Sequence, residues 1–166
     1  MQTHMPRVTF ETAIGRCALS WSDIGLTGFD LPVATPRTDD ETNLPDAIVA
    51  LIERVQQHVN GELQDFSDVV FDFTDLPLFH AAVLRATLLV KPGETRSYGD
   101  IARLMDHPLS ASRAVGAALG GNRWPLLIPC HRIVSASGKM TGFSGPGGIS
   151  TKLRLLKIEG AQLFDQ

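Results

Sequence analysis

Apolar positions change their period along this chain, and the changes outline its elements. Val8, Phe10, Ala18, Leu19, Trp21, Leu26, Phe29 and Leu31 occupy strand-like positions, with Ile14-Gly15 and Asp23-Ile24-Gly25 supplying turn residues between them. Residues 8–31 therefore predict a hairpin or meander. The stretch from Pro32 to Pro45 is rich in Pro, Thr and Asp and predicts a loop. Pro45 then opens a helix on which Ile48, Leu51, Ile52, Val55 and Val59 recur at helical spacing, and Gly61 stops it. Val69, Phe71 and Phe73 alternate with Val70, Asp72 and Thr74, which predicts one more strand. Residues 1–74 thus outline a small α/β lobe.

Between Thr74 and Pro77 the period shifts, and residues 75–166 outline a second, mostly helical domain. Phe79, Ala82, Val83, Ala86 and Val90 form an apolar stripe that ends at Lys91-Pro92-Gly93. Ser97 is placed to cap a second helix from Tyr98 to Met105. After the His107-Pro108-Leu109 turn, Ser110 is placed to cap a third helix reaching Leu119, with Gly120-Gly121 as its stop. Ala111, Ala114, Val115, Ala117 and Ala118 make that helix small-faced. A short helix, a tight turn and a small-faced helix carrying one arginine have the outline of a helix-turn-helix. Residues 138–148 are rich in glycine and predict a loop.

Charge alters the picture more than composition does. Hydrophobic residues make up 43% of the 166, enough for a packed core, and no apolar run has the length of a membrane span. The net charge is only −3. Its distribution is uneven, however: residues 77–160 hold eleven Lys and Arg against four acids, and the remainder holds four against fourteen. A basic half joined to an acidic half fits a protein with one face for a polyanion. The first ten residues carry no apolar signal segment, and two cysteines make no disulfide framework. A reducing, cytoplasmic interior is expected, where a thiol stays free.

Candidate chemistry centres on Pro129-Cys130-His131-Arg132, with Asn122 upstream. A thiol is a strong nucleophile only as thiolate, and a nearby base is one way to form it. Neighbouring side chains on a regular element do not face each other, so a direct Cys130–His131 contact would need an unusual turn. Cys17 falls in a predicted strand and reads as core. The five histidines are scattered without the spacing of a zinc site, and no glycine loop precedes a helix to cradle phosphate, so neither metal nor cofactor is expected.

Ser97-Tyr98-Gly99, Ser112-Arg113-Ala114-Val115-Gly116, Asn122, Pro129-Cys130-His131-Arg132, Gly142-Phe143-Ser144-Gly145 and Glu159-Gly160 together form an ordered set. Over residues 77–160 this set strongly resembles the O6-alkylguanine-DNA alkyltransferase family, the methylated-DNA–protein-cysteine methyltransferases. Thr12-Ala13-Ile14-Gly15 and Asp23-Ile24-Gly25-Leu26 are more loosely similar to its amino-terminal domain. The resemblance implies an α+β fold: a ribonuclease-H-like lobe followed by a winged-helix-like domain with a helix-turn-helix. It implies a monomer that acts once on double-stranded DNA containing alkylated bases, taking the alkyl group from O6 of guanine, less readily from O4 of thymine, without a cofactor. Cys130 would be the acceptor, His131 its base through a water, Glu159 the partner of that histidine, and Asn122 the brace of the turn. Tyr98 would push the phosphate beside the target and protonate the base. Arg113 would fill the gap left by the swung-out nucleotide, with Ser97, Ala111, Ser112, Ala114 and Gly116 along the same DNA-facing surface. Leu119, Pro125, the main chain near Ile133, Phe143 and Ser144 would line the pocket.

The chain departs from the family pattern in three places. Phe143 stands where many members have tyrosine, the run Ser144 to Gly148 is long, and Arg123-Trp124 follows Asn122 in place of a proline. These bear on adduct size. Two other readings compete: a lesion-binding alkyltransferase-like protein, a class that lacks the cysteine, and a cysteine hydrolase, which would need a distant histidine and an oxyanion hole.

Overall fold

The computed structural model describes residues 6–31, 40–137 and 148–161. Residues 8–31 form the predicted meander: β1 (Arg7–Thr12), β2 (Gly15–Trp21) and β3 (Leu26–Asp30), antiparallel in the order β1-β2-β3. The first turn is as tight as the sequence asks. Thr12 pairs with Gly15, whose φ of 117° suits glycine, and the Thr12 hydroxyl donates to the Gly15 carbonyl at 2.7 Å. On the central strand Cys17, Ala18 and Leu19 are all buried.

Helix α1 (Asp46–Val59) follows Pro45 and presents Ile48, Leu51, Val55, His58 and Val59 to the interior. It ends ahead of Gly61, which takes the positive φ expected of a stop. The strand predicted at 69–74 needs correcting. Phe71 makes one isolated parallel bridge to Leu26, held by Leu26 N–H to Val70 O and Asp72 N–H to Leu26 O, and no ladder continues from it. The outer edge of β3 is already occupied: Phe29 N–H donates to Arg123 O, and the Trp124 indole donates to Leu26 O. Phe71 and Phe73 instead stack on each other and meet Trp124 edge-on. Their alternation records burial against an indole rather than sheet pairing. Gly25 lets the segment approach this closely, since a Cβ there would lie 2.6 Å from Val70 O.

Four helices make up the rest: α2 (Leu78–Thr87), α3 (Tyr98–Leu104), α4 (Ser112–Gly120) and α5 (Ile149–Ile158). Ser97 caps α3 as expected, in a reciprocal box: its hydroxyl accepts Asp100 N–H, and Asp100 accepts Ser97 N–H. The third helix begins later than the sequence suggests. Leu109–Ala111 form a 3₁₀ turn, Ser110 caps nothing, and Ser112 opens α4 with its hydroxyl on Leu109 O. Pro108 starts that tight turn, and Asp106 takes a positive φ before it. Two features are additions to the expected elements. One is α5. The other is a short parallel pair, β4 (Arg96–Ser97) with β5 (Ile133–Val134), which ties the start of α3 to the segment after Cys130. One continuous core joins both halves, with Trp124, Leu126, Leu127 and Ile128 fully buried. Among the described residues no helix is long and apolar enough to cross a membrane.

Trp124→Ala removes the indole that joins β3, Phe71 and Phe73. We expect it to cost about 3–5 kcal/mol in urea unfolding; a loss below about 1 kcal/mol would show that this junction is not a support of the fold.

Candidate active site

A constrained turn presents the cysteine. Asn122 braces it from inside: its amide donates to Ile128 O at 2.9 Å, and its carbonyl oxygen accepts Trp124 N–H at 2.9 Å. Leu126, fully buried, sits at φ 77°, a strained conformation for a leucine that the surrounding packing enforces. Pro129 then takes φ −81° and ψ 62°, and Cys130 N–H donates to Ile128 O at 2.8 Å, an inverse γ-turn. Cys130–Arg132 follow as one 3₁₀ turn. With three residues per turn, consecutive side chains diverge by about 120°. His131 and Arg132 go inward and are buried, while Cys130 remains partly exposed.

Inside lies a carboxylate shared by three side chains. Glu159, at the end of α5, is buried. Arg132 grips it twice, Nε to Oε1 and Nη2 to Oε2, each at 2.8 Å, and sends Nη1 to Val90 O at 2.7 Å. His131 Nε2 lies 2.9 Å from Oε2, and His58 Nε2 of α1 lies 2.8 Å from the same oxygen. Burial alone would raise the Glu159 pKa. The hydrogen bonds donated by Arg132, His131 and His58 overcome it, holding the carboxyl well below the usual carboxylate range. An ionised carboxylate only accepts, so His131 Nε2 carries the proton and Nδ1 carries the lone pair. That Nδ1 is buried with no hydrogen-bond partner among the described residues. Burial pushes the His131 pKa down, against the pull of Glu159, so the ring is a neutral base at rest.

Lys152 completes the surroundings of the thiol. It is buried on α5, and its ammonium donates to Ile133 O at 2.7 Å. Burial lowers its pKa, while a negative charge on Cys130 would raise it. The Cys130 thiol is pushed up by burial, offset in part by a hydrogen bond from Asn122 and by the Lys152 charge. The sulfur therefore rests as thiol and depends on a base to ionise. Cys17 is different: fully buried, with its pKa raised by burial to about 11, it is core as expected. Among the described residues no group of His, Cys, Asp and Glu is placed to hold a metal ion.

The expected DNA-facing residues gather on α3 and α4. Arg113 and Ala114 are exposed on the first turns of α4, with Ala111 and Ser112 partly exposed beside them. Tyr98 opens α3, and its ring runs along Gly116, where an added Cβ would sit 3.7 Å from Cε1. Ser97 is engaged as the α3 cap. Of the expected pocket residues, Leu119 is almost wholly buried in the core and Pro125 is half-buried. The side chain of Ile133 is sealed, and its carbonyl receives Lys152. Phe143 and Ser144 lie outside the described residues.

Two of the eleven basic residues counted in the second half, Arg132 and Lys152, are interior. Three more face acids: Lys91 on Asp65, Arg96 near Glu94 and Arg103 near Asp100. The surface excess is therefore smaller than the count implies. Arg132, Lys152 and His58 were not among the expected site residues, although each had a sequence signal. His58 falls three after Val55 and seven after Leu51, on the apolar face of α1. Lys152 shares a face with Leu155, Leu156 and Glu159.

Glu159→Gln leaves Arg132 buried with its charge unmatched, which costs about 3–5 kcal/mol. The pH dependence has a definite sign. A depressed folded pKa contributes stability above the unfolded value of about 4.3, and loses it as pH falls from there toward the folded value. Urea titrations should show wild-type stability falling below about pH 4.3, with a shallower fall in Glu159→Gln. Equal slopes would contradict the ionised, hydrogen-bonded state of Glu159.

Residues 78–161 match the family described as 6-O-methylguanine DNA methyltransferase, DNA binding domain. Over 153 residues, 91% of this chain and 90% of the relative, the chain is 37% identical to the methylated-DNA–protein-cysteine methyltransferase of Mycolicibacterium paratuberculosis. It is 36% identical to a protein of Thermus thermophilus named DNA base-flipping protein, over 90% of this chain and 97% of that one. Its fold is similar to that of Mycobacterium tuberculosis OGT solved in complex with DNA, with a TM-score of 0.77 and 38% identity over 93% of this chain and 92% of that one. With the family match covering half the chain and the full-length relatives spanning nearly all of it, the chain belongs to the methylated-DNA–protein-cysteine methyltransferase family.

Proposed function

We propose that this protein repairs duplex DNA by moving the alkyl group of O6-alkylguanine, and less readily of O4-alkylthymine, irreversibly onto Cys130. The observation that carries the reading is the pairing of Cys130, a residue only partly buried, with a buried, neutral His131, fixed through Nε2 on Glu159 and with Nδ1 left to accept a proton. In the transfer, His131 Nδ1 takes the thiol proton through a bridging water. The sulfur attacks the alkyl carbon, the C–O6 bond breaks, and the guanine left behind takes a proton from the Tyr98 hydroxyl. The imidazolium proton returns through solvent to Tyr98. The thioether is stable, so the protein acts once. Lys152 and Asn122 stabilise the thiolate while it exists, and the Glu159 carboxylate stabilises the imidazolium.

The target must leave the helix before the sulfur can reach it, at a cost of a few kcal/mol. Arg113, exposed on a helix of small residues, fills the vacated stack, because a guanidinium stacks on bases and keeps its hydrogen bonds. The small face of α4 suits the floor of the minor groove, whose degenerate readout fits a search for lesions in any sequence. Leu119, Pro125 and the main chain at Ile133 border the pocket, and for Phe143 and Ser144 a part in it rests on the family resemblance alone. In this reading residues 1–74 form the ribonuclease-H-like lobe and residues 75–166 the winged-helix-like domain, acting as a monomer in the reducing cytoplasm.

The Thermus relative, named for base flipping, motivates a second reading: an alkyltransferase-like protein that binds lesions without chemistry. The thiol at position 130 and the base behind it weigh against that reading. Intact-mass analysis after incubation with O6-methylguanine duplex separates the two. We expect a single methyl on Cys130 and one equivalent of lesion repaired, with transfer abolished and lesion binding kept in Cys130→Ala. Binding with no mass change would establish the second reading, and repeated turnovers would exclude both. For Arg113→Ala we expect a loss of about tenfold or more on duplex DNA and little change on the free base; equal losses would remove the plug role.

A further inference from the structure

His58 is a titratable side chain that the transfer described above does not use, and it is placed where a spectator is hard to explain. It comes from α1, 101 residues away in sequence from Glu159, yet its Nε2 lies 2.8 Å from the oxygen that holds His131. Its other nitrogen is assigned by the backbone. Gln64 N–H donates to Nδ1 at 2.9 Å, so Nδ1 carries the lone pair and Nε2 carries the proton. The Phe66 ring packs against the imidazole at 5.4 Å between centroids, and the side chain is 1% exposed. Ring position, tautomer and direction of donation are thus all fixed within the amino-terminal half of the chain.

Glu159 Oε2 then receives three donors: His58, His131 and Arg132. Each draws electron density from the oxygen on which the His131 imidazolium would lean. The groups bonded at this point are Arg132 and His131 from the 3₁₀ turn and His58 from α1, while Lys152 of α5 donates to Ile133 O and acts on Cys130. Without the His58 donor the carboxylate would bind an imidazolium more tightly, and His131 would be protonated to a higher pH. It would then be less available as a base near neutrality. The carboxylate would also lose one of the contacts that fix its rotamer, and with it the aim of His131.

We propose that His58 is a positioning residue for alkyl transfer: by donating to the carboxylate oxygen shared with His131, it holds that base in the state and position the transfer needs, so that the amino-terminal half supplies part of the reaction machinery. This inference rests on the reading of Cys130 as acceptor and His131 as its base.

The test is the single-turnover rate on saturating O6-methylguanine duplex against pH, with affinity for the same duplex measured in parallel and folding checked by circular dichroism. His58→Leu should lower the rate about tenfold near neutral pH. The acid limb should move to higher pH, the deficit should shrink as pH rises, and affinity should stay within about twofold. His58→Gln, which keeps an N–H donor, should restore the wild-type limb and a rate within about threefold. A pH-independent deficit, or an equal loss in the glutamine variant, would reduce His58 to packing and overturn the proposal. Wild-type rates in both variants would do the same. Should the leucine variant fail to fold, ¹⁵N-histidine spectra of the wild type decide: an Nε2–H tautomer at His58 with a downfield, hydrogen-bonded proton is expected, and an Nδ1–H tautomer overturns it. Absence of any methyl on wild-type Cys130 would instead fail the reading of the reaction itself.

Discussion

One buried carboxylate organises this protein. Glu159 receives two bonds from Arg132 and one each from His131 and His58. Buried ion pairs stabilise little in net terms, because desolvation offsets most of the attraction, whereas breaking one is costly. What such a group supplies is a demand for geometry. His131 and Arg132 must both reach the same carboxylate from one 3₁₀ turn. With side chains about 120° apart, that leaves Cys130 the outward direction. The partial exposure of Cys130 is thus a consequence of where two inward-facing neighbours are pinned.

The turn itself is held from the other half of the molecule. Trp124 donates to Leu26 O, and Phe29 donates to Arg123 O, so the segment before the cysteine completes the edge of the meander. Asn122 closes the same segment from within. The strained φ of Leu126 and the γ-turn at Pro129 persist because these bonds over-determine the path between them. Electrostatics follows from the same burial. The thiol is raised and the imidazole lowered, so both stay neutral until a substrate makes proton transfer worthwhile. In the proposed reaction, keeping the acceptor as thiol until it is used also protects it, since the thiolate is the form that oxidises.

Legibility in the sequence tracked the range of the interactions. The meander, α1, α2 and the Ser97 cap rest on local periodicity and local hydrogen bonds, and they stand close to where the pattern put them. The 69–74 segment shows the limit: alternating phenylalanines fit a strand, but the edge they needed was taken by a tryptophan more than fifty residues on. Ser110 lost its cap because Pro108 led into a 3₁₀ turn, a choice between two local hydrogen-bond patterns that residue preference does not separate. Glu159, close to the end of α5, reads alone as a surface carboxylate. Only the ordered motifs marked it for the site, and only the fold showed that Arg132 and His58 share it. A histidine on an apolar helix face and a lysine in register with Leu155 and Leu156 were visible as anomalies, but their partners lie 101 and 19 residues away.

The charge pattern holds a related lesson about how this protein would meet DNA. A surplus of basic residues in the second half suggested a face built on long-range attraction. The fold withdraws Arg132 and Lys152 into the interior and sets Lys91, Arg96 and Arg103 beside acids. Counterion release scales with phosphates neutralised, so each withdrawn or paired cation weakens non-specific binding and its salt dependence. With a net charge of −3 over the chain, attraction alone is a poor basis for affinity. Shape must contribute more: a helix of alanine, serine and glycine can lie closer to a groove floor than one with long side chains, and an exposed arginine on it can enter the stack. Binding of that kind favours duplexes that open easily over duplexes that are merely anionic, which is the discrimination a search for damaged bases requires.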